Sequence, residues 1–134
     1  MTAGYSGTPL LAKLGVREGS RLVVLSAPAG FVASLEKLPP RASLRQRGGG
    51  EVDVILLFVT RLSVLRRSFK PAAARMPPKS GMLWIAWPKK ASGVLTDLTE
   101  DVIRGVGLDA GLVDTKVCAI DGTWSGLRFS RRRT

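Results

Sequence analysis

The residues best suited to contact a ligand follow runs of apolar residues, at the points where predicted strands end. Lysine ammonium groups carry positive charge, hydroxyl groups form hydrogen bonds, and glycine lets the backbone approach a ligand closely. In open α/β sheets, ligands bind beyond the carboxyl ends of the strands, so these residues should share one edge of the sheet. The candidate ligand-binding residues are Ser26, Gly30, Thr60, Lys89, Lys90 and Ser92.

This set of residues favours binding of an anion over acid–base chemistry. Adjacent ammonium groups and the exposed amides of helix N-termini both attract negative charge. We therefore expect a phosphate, a sulfate, a nucleotide or a partner's carboxylate to bind near Lys89 and Lys90, with Trp87 as a stacking surface. We interpret Asp97, the next carboxylate along the chain, as a helix cap rather than a general base.

The residue types exclude several kinds of catalytic and metal site. The chain has no histidine and one cysteine, Cys118. This excludes Ser-His-Asp and Cys-His catalysis as well as Cys/His zinc sites. We assign no catalytic residue, metal ligand or cofactor, and a non-enzymatic protein is the favoured hypothesis. We interpret Cys118 as a small packed residue and Trp124 as part of the core or of an interface.

The net charge of +11 is unevenly distributed. Residues 97–121 contain six acids and two bases, so the other 19 bases face only four acids. An excess of this kind favours anionic partners, namely nucleic acid, nucleotides, acidic proteins or anionic lipid. The bases are scattered, however, and aromatic residues are few, which is more typical of a solvated surface. The arginines at 131–133 are expected to form a flexible basic tail.

The length of 134 residues suits a single α/β domain preceded by a short flexible N-terminus. No apolar run approaches 18 residues, and the first residues lack the pattern of a signal peptide. We therefore expect a cytoplasmic protein with no membrane contact. The sequence does not indicate the oligomeric state.

Apolar residues that face both sides of a strand predict the centre of a parallel sheet. Three segments have this pattern, and Pro88 ends the last of them because proline cannot donate to the sheet ladder. A short further strand is predicted over 42–46. The three central strands are predicted at 21–25, 52–59 and 82–87.

Helices are predicted between these strands. Thr8 precedes Pro9 at the start of a short helix that ends before Gly15, and a second short helix spans about 30–37. Thr60 should cap a third helix, which Pro71 should kink or split. For the fourth, over 97–106, the predicted start is a capping box in which Asp97 caps and Glu100 stands three residues later.

Two strands close the chain. Residues 113–120 alternate in character and Asp121-Gly122 is typical of a two-residue hairpin turn, so 124–130 should return antiparallel. The predicted fold class is α/β, with an open, mostly parallel three-layer sheet and a C-terminal antiparallel hairpin. The hairpin should lie at the edge of the sheet or beside the strand at 82–87.

Long segments of the chain resemble a family of small bacterial proteins that is defined only as a domain of unknown function. The similarity lies in the first predicted helix, in the strand at 52–59, in the strand at 82–87 with its helix, and in the hairpin. This resemblance implies no activity. The segments are GYSGTPLLAKLGV, DVILLFVT, LWIAWPKKASGVLTDLTEDV and VDTKVCAIDGTWSGLRF.

The order and spacing of the elements are also similar to class I methyltransferases, which have a Rossmann-like fold. The strand after LGVREGS, the DVILLFV strand, the strand after PPKSGML and the closing hairpin carry this likeness, in a shortened version of that fold. It implies S-adenosylmethionine held by acids after the first and second strands. Here Ser26 and Gln46-Arg47-Gly48 stand at those places, so we expect no cofactor.

The favoured function is therefore a non-enzymatic α/β module that binds an anionic ligand or a protein partner at the carboxyl edge of the sheet. A methyltransferase-like enzyme with an altered cofactor site is one alternative. A nucleic-acid-binding accessory protein that uses the basic surface is the other.

Overall fold

The structure is a computed structural model that describes residues 9–132. Within this range six strands alternate with three α-helices and two short 3-10 turns, at Val32–Ser34 and Lys90–Ser92. The strands are β1 Arg21–Leu25, β2 Ser43–Arg45, β3 Val54–Phe58, β4 Met82–Pro88, β5 Leu112–Ala119 and β6 Trp124–Arg131. The helices are α1 Leu10–Leu14, α2 Leu62–Ala73 and α3 Glu100–Asp109.

The strands form one sheet in the order β2-β1-β3-β4-β6-β5. The first four strands in this order are parallel, whereas β6 pairs antiparallel with both β4 and β5. This confirms the predicted fold class and the adjacent parallel strands. The hairpin lies beside β4, with β5 as the outermost strand.

Helices and loops cover both faces of the sheet. Leu65 and Phe69 of α2 and Ile103 of α3 pack on one face. Leu14 of α1 and Phe31 of the segment after β1 pack on the other. The resulting three layers place β3 and β4 in the interior, as their two-sided apolar pattern predicts.

The β4 strand shows how the apolar pattern produces this layering. Leu83 and Ile85 point into the core beneath α2 and α3, while Trp84 and Ala86 point into the core beneath α1. Trp84 is fully buried, and its indole N–H donates to the carbonyl oxygen of Leu14 at 3.0 Å. This hydrogen bond supplies the partner that a buried indole requires.

The predicted helix over 30–37 is wrong. Only Val32–Ser34 is helical, as a single 3-10 turn, and Leu35 is already extended with φ −72 and ψ 147. The segment is too short to offset the cost of helix nucleation, and the prolines at 39 and 40 prevent it from extending.

Both predicted caps of the longer helices are also wrong. Helix α2 begins after Arg61, and its first amide, that of Leu62, donates to the Asp97 carboxylate at 2.8 Å rather than to Thr60. Helix α3 begins later than predicted, and its cap is Thr99, whose hydroxyl accepts from the Val102 amide at 3.2 Å. Asp97 thus caps a helix, but a different one.

Three further predictions are corrected near turns and chain ends. Helix α2 continues through Pro71 to Ala73 without a split. The hairpin forms, but residues 120–123 connect its strands, and the Asp121 side chain accepts from the amides of Thr123 and Trp124. Arg131 belongs to β6 and donates to three carbonyl groups near the end of α2, so it is not part of a flexible tail.

Thr8, the predicted flexible N-terminus and Arg133 lie outside the described residues. Among residues 9–132, no helix has the length and apolar character needed to cross a membrane.

Candidate functional site

The loops that follow β1, β3 and β4 lie at one edge of the sheet, together with the β5–β6 connection. The Thr96 hydroxyl donates to the carbonyl oxygen of Thr60 at 2.6 Å, which joins the loops after β3 and β4. The Lys89 amide donates to the carbonyl oxygen of Thr123 at 2.7 Å, which joins the loop after β4 to the hairpin. These contacts form the carboxyl edge that the sequence predicts.

Two neighbouring cavities at this edge share Trp124 in their walls. The larger, of about 460 Å³, lies between residues 28–31, Val94 and the hairpin residues Asp121 and Trp124. The smaller, of about 240 Å³, also contains Ser26, Phe58 and Thr60 in its lining. We call these two spaces the Trp124 cavities.

Aromatic side chains form the floor of the Trp124 cavities. The Phe58 ring lies 4.8 Å from Phe31 and 5.0 Å from Trp124, in edge-to-face contact with both. Contacts of this kind hold rings in fixed orientations and stabilise by about 0.5–1.5 kcal/mol beyond their burial. Trp124 is therefore part of the core and at the same time a wall of the site.

Ser26 occupies an unusual backbone conformation between two cavities. Its φ of 60 lies in the left-handed region, which costs a residue with a side chain about 1–2 kcal/mol. Its hydroxyl makes no hydrogen bond within the described part of the chain and is exposed. Strain of this kind often marks a functional position.

Gly30 lines the larger of the Trp124 cavities and also has a left-handed backbone, with φ 84. A methyl group placed on its α-carbon would meet no atom within 4 Å. The space beside Gly30 is thus open to a ligand.

The two lysines lie at the same edge but outside these cavities. Lys89 is half-buried and Lys90 is exposed at the start of a 3-10 turn. Among the described residues neither side chain has an ion-pair partner, and neither lines the Trp124 cavities. The Ser92 hydroxyl accepts from the Val94 amide at 3.2 Å, so it is already used in the turn.

The carboxylates of this edge are engaged by the backbone. Asp97 accepts from Leu62, and one oxygen of Asp121 accepts from Thr123 and Trp124 at 2.8 and 2.9 Å. Asp121 is the single carboxylate that lines the Trp124 cavities within the described chain. Both carboxylates therefore take part in holding the loops of this edge.

The expectation that Trp87 provides a stacking surface is wrong. Its side chain is 7% exposed and packs in the core beneath α2 and α3, on the opposite face from the Trp124 cavities. Cys118 is half-buried, and burial raises the pKa of its thiol, which agrees with a packed residue rather than a nucleophile. No cluster of metal-ligating side chains occurs in residues 9–132.

A third cavity, of about 360 Å³, was not predicted. It lies on the α2 side of the edge, and its polar lining consists of Ser26, Arg67, Ser68 and Arg75. Arg67 and Arg75 are eight residues apart, which is close to two turns of an α-helix. This spacing indicates that the two arginines can lie on the same side of the helix. The sequence could not show that this face borders the end of β1.

No model of a known protein family matches the chain, and no curated protein matches it significantly in sequence, so the resemblance to a family of unknown function is not confirmed. Solved structures do match. A SAM-dependent methyltransferase from Aquifex aeolicus is 14% identical, with a TM-score of 0.66, over 92% of this chain and 88% of the other.

Two further matches have lower TM-scores. The magnesium protoporphyrin IX methyltransferase ChlM from Synechocystis PCC 6803, with bound SAH, is 11% identical over 92% of this chain and 78% of its own, with a TM-score of 0.59. Aeropyrum pernix fibrillarin, with S-adenosyl-L-methionine, is 16% identical over 94% and 70%, with a TM-score of 0.54. At these identities the likeness shows a methyltransferase-like, Rossmann-like fold.

Proposed function

We propose that this chain binds an anionic small molecule, or an acidic segment of a protein partner, at the carboxyl edge of its sheet and catalyses no reaction there. The observation that carries the proposal is a set of charged and polar side chains that have no hydrogen-bond or ion-pair partner among the described residues. Within the described chain, Lys89, Lys90 and Ser26 have free ammonium and hydroxyl groups, while Asp97 and Asp121 are held by backbone amides.

The two lysines, rather than a helix N-terminus, would supply the attraction for the anion. Asp97 already places a carboxylate against the first amide of α2, which offsets the positive end of that helix. Lys89 and Lys90 have no such counter-charge among the described residues, so their potential extends over the edge. Ser26 and Thr60 would then add hydrogen bonds to the bound anion.

Isothermal titration calorimetry with citrate and an oligoglutamate peptide, anions that carry no phosphoryl group, tests this proposal, with an oligoglutamine peptide as the uncharged probe. We expect Lys89→Ala with Lys90→Ala to abolish binding and to change the free energy of unfolding by less than about 1 kcal/mol, because surface charges contribute little to stability.

The matched control is Lys70→Ala with Lys79→Ala. Both residues are exposed, and the double change removes the same charge away from the edge. Full affinity in the Lys89 and Lys90 variant, or equal losses in the two double variants, would contradict the proposed site.

A methyltransferase-like enzyme with an altered cofactor site is the second candidate, which the shared fold and the aromatic cavity beside Gly30 favour. The residues do not fit S-adenosylmethionine as the resemblance implies, however. Ser26 follows β1 and Gln46 follows β2, so no carboxylate stands there to hold the ribose hydroxyls. Asp121 lines the larger cavity, but one of its oxygens already accepts two backbone amides.

Calorimetric titration with S-adenosylmethionine and S-adenosylhomocysteine separates the two candidates. We expect no binding heat from either compound. Micromolar affinity that Trp124→Ala weakens and the Lys89 and Lys90 variant retains would support the second candidate instead.

A further inference from the structure

A cavity on the α2 side of the sheet brings two arginines together. Its volume is about 360 Å³, near the lower end of the range of about 300–1,000 Å³ for small-molecule pockets. It exists because residues 46–53 connect β2 to β3 without a helix, which leaves Leu25 at the end of β1 half-buried. The apolar part of its wall includes Leu25, Leu57 and Pro71.

The polar groups of this arginine cavity have few partners within the protein. Arg75 donates from Nε to the carbonyl oxygen of Gly50 at 3.0 Å, which uses one of its five N–H donors. Its Nη2 is buried and has no hydrogen-bond partner within residues 9–132. Among the described residues, Arg67 makes no ion pair or hydrogen bond through its side chain.

No carboxylate of the described chain neutralises these two guanidinium groups. The Val52 amide donates to the Arg75 carbonyl oxygen, and the acids on either side of Val52, Glu51 and Asp53, pair with Arg21 at 3.9 and 3.1 Å. The lining of the arginine cavity includes no acid. Like charges that share a partly enclosed space repel, and an unpaired buried donor is costly, so a bound anion would relieve both penalties.

We infer that the arginine cavity binds the phosphoryl group of a small organic molecule. Arg67 and Arg75 contact the phosphate oxygens, because a guanidinium donates to such oxygens in pairs. The hydroxyls of Ser68 and Ser26 donate to the remaining oxygens, and the apolar wall contacts the organic part. This site goes beyond the proposed function, since it shares only Ser26 with the lysine edge.

Titration of the full chain with inorganic phosphate and ribose 5-phosphate at constant ionic strength tests this inference, with ribose as the uncharged probe. We expect the side-chain Nε–Hε NMR signals of Arg67 and Arg75 to shift with either phosphate and not with ribose. Tighter binding of ribose 5-phosphate supports an organic phosphate as the ligand class, whereas equal affinity would identify free phosphate and contradict the assignment of an organic ligand.

Variants locate the site. Arg67→Gln and Arg75→Lys should each weaken binding by at least about tenfold, because each loses charge-assisted hydrogen bonds. Arg66→Gln is the matched control, since Arg66 is adjacent but lines the groove between α2 and α3. It should retain the affinity, as should the Lys89 and Lys90 double variant.

Three results would overturn the inference. The first is the absence of any NMR shift at millimolar phosphate, a measurement on the unaltered chain that no folding defect can obscure. The second is an equal loss of affinity in Arg66→Gln and Arg67→Gln, which would indicate non-specific attraction. The third is loss of phosphate binding in the Lys89 and Lys90 variant alone, which would assign the anion to the lysine edge.

Discussion

Ser26 connects backbone strain to the candidate sites. It borders both the smaller of the Trp124 cavities and the arginine cavity, and its φ of 60 lies in the left-handed region. Glycine would adopt this conformation without the steric cost that a side chain adds. The backbone conformation of this turn would favour glycine, so a role for the serine hydroxyl group explains better why serine stands here.

The Ser26→Gly variant should separate stability from binding. We expect the free energy of unfolding to rise by up to about 1 kcal/mol as the strain is relieved, while anion affinity falls because the hydroxyl is lost. Thermal denaturation and calorimetry measure the two effects. Ser26→Ala is the control, which keeps the strain and should lose affinity without gaining stability. A lower melting temperature for Ser26→Gly would show that the backbone here is not strained.

Trp84 is the largest fully buried side chain of β4. We expect Trp84→Ala to lower the free energy of unfolding by about 3–5 kcal/mol, because it opens a cavity in the interior strand and leaves the Leu14 carbonyl without its donor. Denaturant unfolding measures this loss. Trp84→Phe, which retains most of the packing, should cost less, and a melting temperature near that of the unaltered chain for Trp84→Ala would contradict this role.

At the scale of elements, helix α3 lies close to the sheet because of one glycine. A side chain at Gly107 would collide with the ring of Phe129, which is fully buried and packs edge-to-face on Phe69 at 5.4 Å. Helix α3 thus approaches β6 more closely than a helix with a side chain at that position could. Gly105, on the same helix, has no atom within 4 Å of the position of an added methyl group.

The two glycines of α3 should respond in opposite directions to alanine. Gly105→Ala should stabilise by about 0.5–1 kcal/mol, since alanine is the better helix former. Gly107→Ala should destabilise by about 1–3 kcal/mol, because the overpacked Phe129 cannot move freely. Thermal denaturation of both variants measures the difference. Stabilisation by Gly107→Ala would show that α3 does not rest on Phe129.

For the whole molecule, ion pairs join different elements of the fold. Arg104 of α3 bonds to Asp114 of β5 at 2.8 Å, and Arg21 of β1 bonds to Asp53 before β3 at 3.1 Å. Hydrogen bonds from the arginines hold the pKa of Asp114 and of Asp53 below the ordinary value, although partial desolvation opposes the shift. These pairs hold α3 to β5 and the start of β1 to the segment before β3.

The depressed pKa values of Asp53 and Asp114 predict how stability depends on pH. Their stabilisation is fully present above the unfolded carboxyl pKa of about 3.9 and is lost as the pH falls through the lower folded values. We expect constant stability from pH 7 to about pH 5 and a decline below about pH 4. Denaturant unfolding across this range measures it.

Arg104→Gln should reduce the loss of stability below about pH 4, because the pKa of Asp114 then returns toward its ordinary value. The control is Arg66→Gln, since Arg66 has no ion-pair partner among the described residues. An equal decline in both variants would show that the Arg104 pairs do not contribute.

Local patterns in the sequence were sufficient for the sheet. The two-sided apolar runs predicted β1, β3 and β4 as adjacent parallel strands, and the alternation near the C-terminus predicted β5 and β6. This succeeds because burial of both faces of a strand is encoded within a few consecutive residues. The absence of histidine likewise limits the chemistry open to this chain, whatever fold it adopts.

The helix caps and the cavities were decided by tertiary structure. Asp97 caps α2 across 35 residues of sequence, and no local rule could place that carboxylate at the Leu62 amide. Trp124 rather than Trp87 forms the wall of a site, because its position depends on how the hairpin packs against Phe58. Arg67 and Arg75 share a cavity with Ser26 at the end of β1, where Leu25 is half-buried and the β2–β3 connection contains no helix. The apolar pattern of a strand indicates the burial of that strand alone, whereas a site depends on which distant segments the fold brings into contact.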